Sequence, residues 1–336
     1  KQADGAVFAQ IGDTQVLATV VSSHEAVEGD FLPLTVNYQE KAFAAGKIPG
    51  GFFKREGRPT ESETLISRLI DRPLRPMFHK DYNFPTQVII SVYSADDLNP
   101  PDVLALTAAS AALTVSDIPW DDPIAAVRIV RVEGQLICNP TYAEIENADL
   151  NFIVAGSSDA ILMVEGGANV VPEQDIIDAL MFGHEQIKKL IEFQKQLIPD
   201  NQTKREVIEK EVNTELASNL NSIVLEDIKN AAKIKSKQDR SNKFGEIYSS
   251  AITTLGDDSG FEEKEVKSIF DKIRKDSIRG MMISEKTRID GRGFEDIRNI
   301  SSEINLLPRA HGSAVFTRGE TQALVAVTLG SKEDQQ

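Results

Sequence analysis

Residues 47–78 read KIPGGFFKREGRPTESETLISRLIDRPLRPMF, and this stretch decides how the first part of the chain folds. Glycine and proline crowd its first half, which excludes a regular helix or a central strand there. After Pro59 the pattern becomes helical, with Thr60 as a predicted N-cap and Glu63 three residues later completing a capping box. We therefore expect a glycine-rich loop followed by an amphipathic helix. Its predicted buried stripe consists of Leu65, Ile66, Leu69 and Ile70.

The predicted loop carries two adjacent aromatic residues and three cations, namely Phe52, Phe53, Lys54, Arg55 and Arg58. Aromatic faces beside cations suit single-stranded nucleic acid, because every base offers a face for stacking and every phosphate offers a charge. The plain alternative is a surface loop whose rings pack into the core. We favour an RNA-binding loop because the rings, the cations and the glycines coincide in one short segment.

Three arginines recur along the predicted helix at intervals of four and three: Arg68, Arg72 and Arg75. This spacing predicts one helical face, which we expect to point towards the loop. Pro73 and Pro76 predict that the helix stops or is distorted nearby, so the alignment of Arg75 is the least constrained. The alternative is a solvated basic face without a ligand.

Charge is distributed unevenly along the chain. The formal net charge is −15, which argues against a general nucleic-acid binder. Between Gly50 and Lys80, however, seven Lys or Arg residues face four acidic residues, which makes that segment +3. An acidic protein with one basic segment is expected to repel nucleic acid everywhere except at that segment.

Length and composition predict a globular protein of two or three domains, since 336 residues can bury more than one core. No apolar run is long enough to span a bilayer, so we expect no membrane association. The single cysteine, Cys138, excludes an internal disulfide and favours a reducing, cytoplasmic location, with the thiol buried and inert. Because the chain begins at Lys1 almost inside a predicted hairpin, we expect that a leading strand is missing.

Strand and helix patterns divide the chain into three predicted domains. Hairpins and helices alternate up to Pro199, and a Lys- and Glu-rich stretch without proline then predicts three or four short helices. The charged runs of that stretch are expected to be solvated faces. Strand patterns return after residue 284. The predicted boundaries are 1–199 for a mixed domain, 200–284 for an all-helical domain and 285–336 for the beginning of another mixed domain.

The two ends of the chain resemble each other. GAVF at 5–8 followed by GDTQVL at 12–17 is matched by SAVF at 313–316 followed by GETQAL at 319–324. Aligned on Ala-Val-Phe, the second copy has one residue fewer in its loop. A spacing of roughly three hundred residues predicts a duplicated domain, of which the second copy is expected to be cut short at Gln336.

These residues together resemble the bacterial polynucleotide phosphorylase family. The resemblance rests on GKIPGGFFKREGRPTESETLISRLIDRPLRP, the ADGAVF and GDTQVL hairpin, RIDGR, and LPRAHGSAVFTRGETQALVAVTLG. It implies an α+β fold with two ribonuclease PH-like domains joined by a helical domain, followed in family members by KH and OB-fold modules. It also implies a phosphorolytic 3′-to-5′ exoribonuclease of mRNA turnover that forms a homotrimer around a channel and can join RNA-degradation complexes.

The resemblance also implies which residues do what. The loop residues Phe52, Phe53, Lys54, Arg55 and Arg58 would bind RNA at the channel entrance, and Arg68, Arg72 and Arg75 would line an RNA or phosphate cleft. Inorganic phosphate is the implied co-substrate and Mg²⁺ the implied metal. The catalytic aspartates, the metal ligands and the phosphate-binding serine would lie beyond Gln336, so we expect no catalytic or metal-binding residue in this chain. The family usually has arginine where Lys54 stands, and lysine gives up bidentate phosphate pairing.

Three adjacent aspartate pairs and one histidine are the other candidates for chemistry. Asp96-Asp97, Asp121-Asp122 and Asp257-Asp258 are better explained by turns, and His184 lacks a second histidine at the spacing of a zinc helix. A different class of function therefore remains open, namely a noncatalytic RNA-binding and assembly module.

Overall fold

The computed structural model describes residues 2–27, 31–120, 122–207, 213–255 and 261–334. The chain divides into two compact units, Lys1–Lys210 and Glu211–Gln336. Within the described ranges, every helix is too short or too polar to cross a bilayer.

The first unit opens with a four-stranded sheet in the order β1-β2-β4-β3. Strand β2 pairs antiparallel with both β1 and β4, whereas β3 pairs parallel with β4. Helix α1 follows β3, and α2, which follows β4, is apolar nearly all round and buried against the sheet, as its composition predicts. The bounds are β1 Gly5–Ile11, β2 Thr14–Ser22, β3 Leu34–Glu40, α1 Glu61–Leu74, β4 Thr86–Ser94 and α2 Asp102–Val115.

A second antiparallel sheet of four strands, ordered β6-β5-β7-β8, completes the first unit. The two-residue β5–β6 turn consists of Glu133 and Gly134, both at positive φ, as tight hairpin turns require. Helix α4 covers this sheet, and its apolar stripe forms a second core with β5 and β7. The bounds are β5 Ala125–Val132, β6 Gln135–Cys138, α3 Tyr142–Glu146, β7 Leu150–Gly156, β8 Ile161–Ala168 and α4 Glu173–Lys195.

The segment after α4 is bound to the first unit by side-chain hydrogen bonds. Gln202 Nε2 donates to the carbonyl oxygens of Thr114 and Ser116 at the end of α2, at 2.8 and 2.6 Å. Arg205 Nε donates to Asp117 Oδ2 at 2.9 Å. These bonds join residues 202–205 to the C-terminal end of α2.

Among its described residues, the second unit contains three α-helices and a three-stranded antiparallel sheet ordered β11-β10-β9. The helices form a core of their own around Leu220, Phe244 and Phe270. The charged residues between them are mostly exposed, as expected for solvated faces. The bounds are α5 Thr214–Ala232, α6 Lys237–Leu255, α7 Glu263–Glu285, β9 Ile300–Ile304, β10 Gly312–Arg318 and β11 Thr321–Val327.

The strand pairing of the two similar hairpins differs from the alignment that their sequences suggest. Both have seven paired residues on each strand and a two-residue turn, Gly12-Asp13 in one and Gly319-Glu320 in the other. Ile11 pairs with Thr14 and Arg318 pairs with Thr321, so one constant offset relates the copies. The predicted shorter second loop is therefore wrong. Because side chains alternate along a strand, the one-residue shift puts Phe8 and Phe316 on opposite faces of their hairpins.

Candidate nucleic-acid interface

The loop between β3 and α1 exposes both of its aromatic rings to solvent. Phe52 is 92 % exposed and Phe53 is 72 % exposed. The two rings meet edge to face, with centroids 5.4 Å apart and an interplanar angle of 86°. This geometry excludes the alternative that the rings pack into the core, and it leaves ring faces available for stacking.

Cations flank these rings. The Arg55 guanidinium carbon lies 5.0 Å from the centre of the Phe53 ring, which is a cation–π distance. Lys54 has a positive φ of 49°, which turns the chain at the loop tip. Lys54 and Arg58 are exposed and have no ion-pair partner among the residues that the structure describes. Both charges are therefore available to a phosphate.

Short-range hydrogen bonds fix both ends of the loop. At its start, Lys47 N donates to the carbonyl oxygen of Ala42 at 2.9 Å, and Glu56 Oε1 accepts from Ala42 N at 3.0 Å. At its end, the predicted capping box is confirmed. Thr60 Oγ1 accepts from Glu63 N at 3.2 Å, and Glu63 Oε2 accepts from Thr60 N at 2.6 Å.

Glu63 also ties helix α1 to the sheet. Its Oε1 accepts a hydrogen bond from Glu40 N, at the end of β3, at 2.8 Å. Burial by itself would raise the pKa of the Glu63 carboxyl, but the backbone N–H groups of Thr60 and Glu40 stabilise the carboxylate, and the net pKa is lowered. The loop thus enters and leaves a rigid frame of β3 and α1.

A cleft of about 600 Å³ opens behind the loop. Loop residues 47–50 and 55–57 line it, as do three alanines of the short 3₁₀ turn and two residues at or just after the end of β4, namely Ala42, Ala44, Ala45, Val92 and Ala95. Three cations reach the cleft, Lys41, Lys47 and Arg55, against the carboxylates of Glu40 and Glu56. Sequence reasoning missed Lys41 and Lys47, although Lys47 begins the diagnostic stretch, because neither stands beside an aromatic residue in the chain.

The three arginines that the sequence predicts on one face, Arg68, Arg72 and Arg75, have different partners. Arg72 Nη1 forms an ion pair with Glu165 Oε2 of β8. Arg75 pairs with Asp71 at 2.6 Å and donates to the carbonyl oxygens of Leu32 and Leu34, at 2.9 and 3.2 Å. Arg72 and Arg75 are therefore both bonded to other groups of the protein. Arg68 is exposed and has no ion-pair partner among the described residues.

One detail of the helix prediction is wrong. Leu65 is 51 % exposed, whereas Ile66, Leu69 and Ile70 face the core as predicted. Leu65 lies at the outer edge of the stripe, where its side chain faces solvent. The helix ends at Leu74, directly after Pro73, and Arg75–Met77 forms a 3₁₀ turn, as the two prolines predict.

The remaining candidates for chemistry, Asp96, His184 and Cys138, have contacts that indicate structural roles. Asp96 accepts hydrogen bonds from the backbone and side chain of Asn99 and from Asp13 N, and these bonds lower its pKa, so it organises a turn as predicted. His184 is buried, with Nε2 3.0 Å from the carbonyl oxygen of Ser157. Burial raises the pKa of the half-buried Cys138 thiol to about 11, in keeping with an inert residue. Asp121 and the pair Asp257-Asp258 lie outside the described residues.

The described residues differ from the side-chain clusters that bind metal ions in proteins. No group among them brings three or more His, Cys, Asp or Glu side chains together as metal ligands. The described residues therefore do not by themselves fit the Mg²⁺ whose ligands the family resemblance places beyond Gln336.

Sequence profiles of known families match most of the chain. The profile described as "3′ exoribonuclease family, domain 1" matches residues 1–119 and again 296–336, and "3′ exoribonuclease family, domain 2" matches 122–186. The profile "Polyribonucleotide nucleotidyltransferase, RNA binding domain" matches 215–293. One profile at both ends confirms the internal duplication, and the three together confirm the α+β fold class with an intervening helical domain.

Two similar curated proteins are both named polyribonucleotide nucleotidyltransferase. The polyribonucleotide nucleotidyltransferases of Geobacter sulfurreducens and Syntrophotalea carbinolica are each 50 % identical over the whole of this chain. The chain spans about half the length of these relatives, 48 % in both cases. Among solved structures, rice (Oryza sativa) Rrp46 is 18 % identical with a TM-score of 0.49, over 59 % of this chain and 89 % of that one.

Proposed function

Because the chain belongs to the polyribonucleotide nucleotidyltransferase family, we propose that it supplies the RNA-binding entrance of a phosphorolytic 3′-to-5′ exoribonuclease. The observation that carries the proposal is the pair of exposed rings, Phe52 and Phe53, with the Arg55 guanidinium beside them. Rings of this kind stack on successive bases without reading their sequence. Such a loop suits an enzyme that degrades RNA regardless of its sequence.

The proposed reaction is reversible cleavage by inorganic phosphate, the co-substrate. Phosphate attacks the phosphorus of the terminal linkage, the 3′ oxygen of the preceding nucleotide leaves as a hydroxyl, and a nucleoside diphosphate is released. The residues of this chain bind and orient the RNA. Phe52 and Phe53 stack on bases, while Lys54, Arg55 and Arg58 neutralise phosphates.

The α1 arginines divide in this proposal according to their partners. Arg68 is free to meet RNA, whereas Arg72 would have to exchange Glu165 for a phosphate. Arg75 supports the fold through Asp71 and the carbonyl oxygens of Leu32 and Leu34, and it would reach RNA only by giving up these bonds. We therefore rank Arg68 first among the three as a phosphate contact.

The same family assignment supports the wider proposals made from the sequence. We propose domain boundaries near residues 199 and 284, a catalytic centre outside this chain that uses Mg²⁺, assembly as a homotrimer, RNA-degradation partners, a role in mRNA turnover, and a cytoplasmic location. The acidic charge of −15 fits binding of RNA at one basic segment only.

Replacement of the two rings tests the proposal. Phe52→Ala with Phe53→Ala should weaken binding of single-stranded poly(A) to the chain by about 1–3 kcal/mol per stacked base. Fluorescence anisotropy of a labelled oligonucleotide measures the change, and circular dichroism checks the fold. Phe193→Ala is the matched control, since this ring is also exposed, 61 %, but lies on α4. Unchanged affinity in the double variant would contradict an RNA-binding role for the loop.

A second assay concerns chemistry. The 336-residue chain should bind poly(A) without releasing nucleoside diphosphate when phosphate is added, and robust release would show that the active site is within it. The same assay on the protein encoded by the complete open reading frame distinguishes the enzyme from a noncatalytic RNA-binding and assembly module. The enzyme releases nucleoside diphosphate in the presence of phosphate, and the module does not.

A further inference from the structure

The sheet of β1, β2, β3 and β4 has one open face without charged residues. Because successive side chains of a strand point to opposite faces, one face of this sheet packs against α1 and α2 and the other faces solvent. The solvent side, which we call the outer face, consists of the even-numbered residues of β1 and the odd-numbered residues of β2, β3 and β4. All of these residues lie within the described ranges, and none of them is Asp, Glu, Lys or Arg.

The middle of the outer face is apolar and exposed. Phe8 of β1 lies opposite Leu17 of β2, and Thr19 of β2 lies opposite Ile89 of β4. Phe8 is 55 % exposed, Val21 is 47 % exposed and Ile89 is 40 % exposed. On the inner face, by contrast, the alternate residues of β2 and β4 are almost fully buried. The outer face therefore presents to water an apolar surface that another protein layer would bury.

A pair of aromatic rings extends the outer face at the end of β4. Tyr93 contacts Phe43 of the 3₁₀ turn, with ring centroids 5.8 Å apart, and Phe43 is 59 % exposed. The turn is joined to this end of β4 by a backbone hydrogen bond of 3.1 Å from Ala95 N to the carbonyl oxygen of Ala44. Rings held in this way lose little conformational freedom when a partner covers them.

The lack of charge distinguishes the outer face from an ordinary solvated sheet. A chain in which 26 % of the residues are charged ordinarily places charges on strand residues that face water. The centres of protein interfaces, in contrast, are depleted of charged side chains and enriched in aromatic ones. RNA does not suit this face, because a surface without cations cannot neutralise phosphates. The composition therefore indicates contact with another protein surface that is itself uncharged.

The charge of the whole chain favours a second copy as that partner. A two-fold contact brings the same surface of both copies together, so every charge in it lies near a like charge. With a net charge of −15, this chain repels its own copies over its surface as a whole. The outer face is free of this repulsion, because it has no charged residue among those just described.

The size of the outer face agrees with a dimer of moderate affinity. Four strands about 4.8 Å apart, with about seven residues that each rise about 3.3 Å, give a flat area of roughly 440 Å². The relief of the side chains and the rings of Phe43 and Tyr93 add to this area. Two such faces together therefore approach about 1,200 Å², the lower end of the range for specific interfaces. We expect a dissociation constant in the micromolar range.

We propose that the outer face of this sheet binds the same face of a second copy of the chain. The two sheets pack face to face, as in a β-sandwich, and the side chains of Phe8, Leu17 and Ile89 from one copy lie between those of the other. The contact is two-fold and is therefore separate from the contacts of the proposed homotrimer, which a three-fold axis makes heterologous. It does not depend on RNA binding by the loop.

Sedimentation equilibrium of the 336-residue chain tests this contact. Between about 1 and about 100 µM, a range around a micromolar dissociation constant, the mean mass should rise from that of a monomer to that of a dimer. Thr19→Lys and Ile89→Lys each place a charge in the middle of both faces, and each should weaken dimerisation by about tenfold or more. An equimolar mixture of Thr19→Lys and Thr19→Glu should recover the dimer, because opposite charges then meet across the contact.

Control variants separate this contact from other effects. Val164→Lys places the same charge on an exposed strand residue of the other sheet of the first unit and should leave dimerisation unchanged. Phe52→Ala with Phe53→Ala should also leave it unchanged, which separates the contact from the role of the loop, and circular dichroism checks the fold of each variant. A chain that stays monomeric over the whole range would overturn the inference, as would a dimer that neither Thr19→Lys nor Ile89→Lys weakens. A trimer that these variants dissociate would overturn the two-fold contact and assign the face to a heterologous one.

Discussion

Arginines of the same helix differ in role because their neighbours differ. Arg68 faces solvent, Arg72 meets a carboxylate from another sheet, and Arg75 is held by Asp71 four residues earlier and by two carbonyl oxygens. A guanidinium already bound to the protein must give up those bonds before it can bind a phosphate. Spacing along the sequence placed all three on one face, but their partners decide which of them is available.

The salt dependence of RNA binding should separate Arg68 from Arg75. Arg68→Ala removes an available phosphate contact and should flatten the slope of log Kd against log salt by about 0.7, the value per contact for single strands. Arg75→Ala should leave that slope unchanged and should lower the free energy of unfolding by about 1 kcal/mol, through its lost hydrogen bonds. Anisotropy titrations and urea unfolding measure the two effects. A flattened slope in Arg75→Ala would show that this residue does contact RNA.

Cysteine reactivity offers a second test at the residue scale. Burial raises the pKa of Cys138 to about 11, so the thiol stays protonated at pH 8, and only the thiolate reacts. Iodoacetamide should therefore modify the native chain far more slowly than the urea-unfolded chain. The native rate should rise with pH until the pH approaches 11. Equal rates in the native and unfolded chains at pH 8 would contradict the burial of this thiol.

At the scale of elements, the frame around the loop depends on one helix cap. The capping box of Thr60 and Glu63 satisfies the free N–H groups of α1, and the second Glu63 oxygen reaches Glu40 N at the end of β3. One carboxylate therefore fixes both the beginning of α1 and its distance from the sheet. The sequence indicated the cap, whereas the bond to β3 depends on packing.

The stability supplied by this cap should depend on pH. Because the folded chain lowers the pKa of Glu63 below its ordinary value of 4.5, its stabilising effect is fully present above pH 4.5 and is lost as pH falls through the folded-state pKa. Thr60→Ala should cost about 1 kcal/mol at pH 7. Glu63→Gln should also destabilise at pH 7, with a difference from the original chain that shrinks below pH 4.5. Urea unfolding at pH 7 and at pH 4 measures both effects, and a difference that grows in acid would contradict the role of the carboxylate.

At the scale of the whole molecule, the two units have separate cores. Trp120, the single tryptophan, is buried in the first core, whereas Phe270 is buried in the core of the helices of the second unit. Tryptophan fluorescence therefore reports on the first unit alone, and circular dichroism reports on both. Because each unit has its own core, we expect each to unfold as a cooperative element.

Phe270→Ala should accordingly uncouple the two signals. Loss of this buried ring costs about 3–5 kcal/mol in the helical core, so part of the circular dichroism signal should disappear at a lower urea concentration. The Trp120 fluorescence transition should stay where it is. Ile90→Ala, in the first core, is the converse control and should shift the fluorescence transition. A fluorescence transition that moves with Phe270→Ala would show that the units unfold together.

Much of the secondary structure follows from short-range interactions, which can be predicted directly from the sequence. Several features depend only on residues a few positions apart, so the local sequence is enough to predict them. They are the Gly12-Asp13 and Glu133-Gly134 turns, the capping box at Thr60 and the helical stripe through Leu69. Tertiary contacts decided the rest. They set the register that puts Phe8 and Phe316 on opposite faces, the exposure of Leu65, the pairing of Arg72 with Glu165, and the meeting of Phe43 with Tyr93. Those outcomes depend on residues far apart in the chain, whose approach is fixed only when sheets and helices pack together.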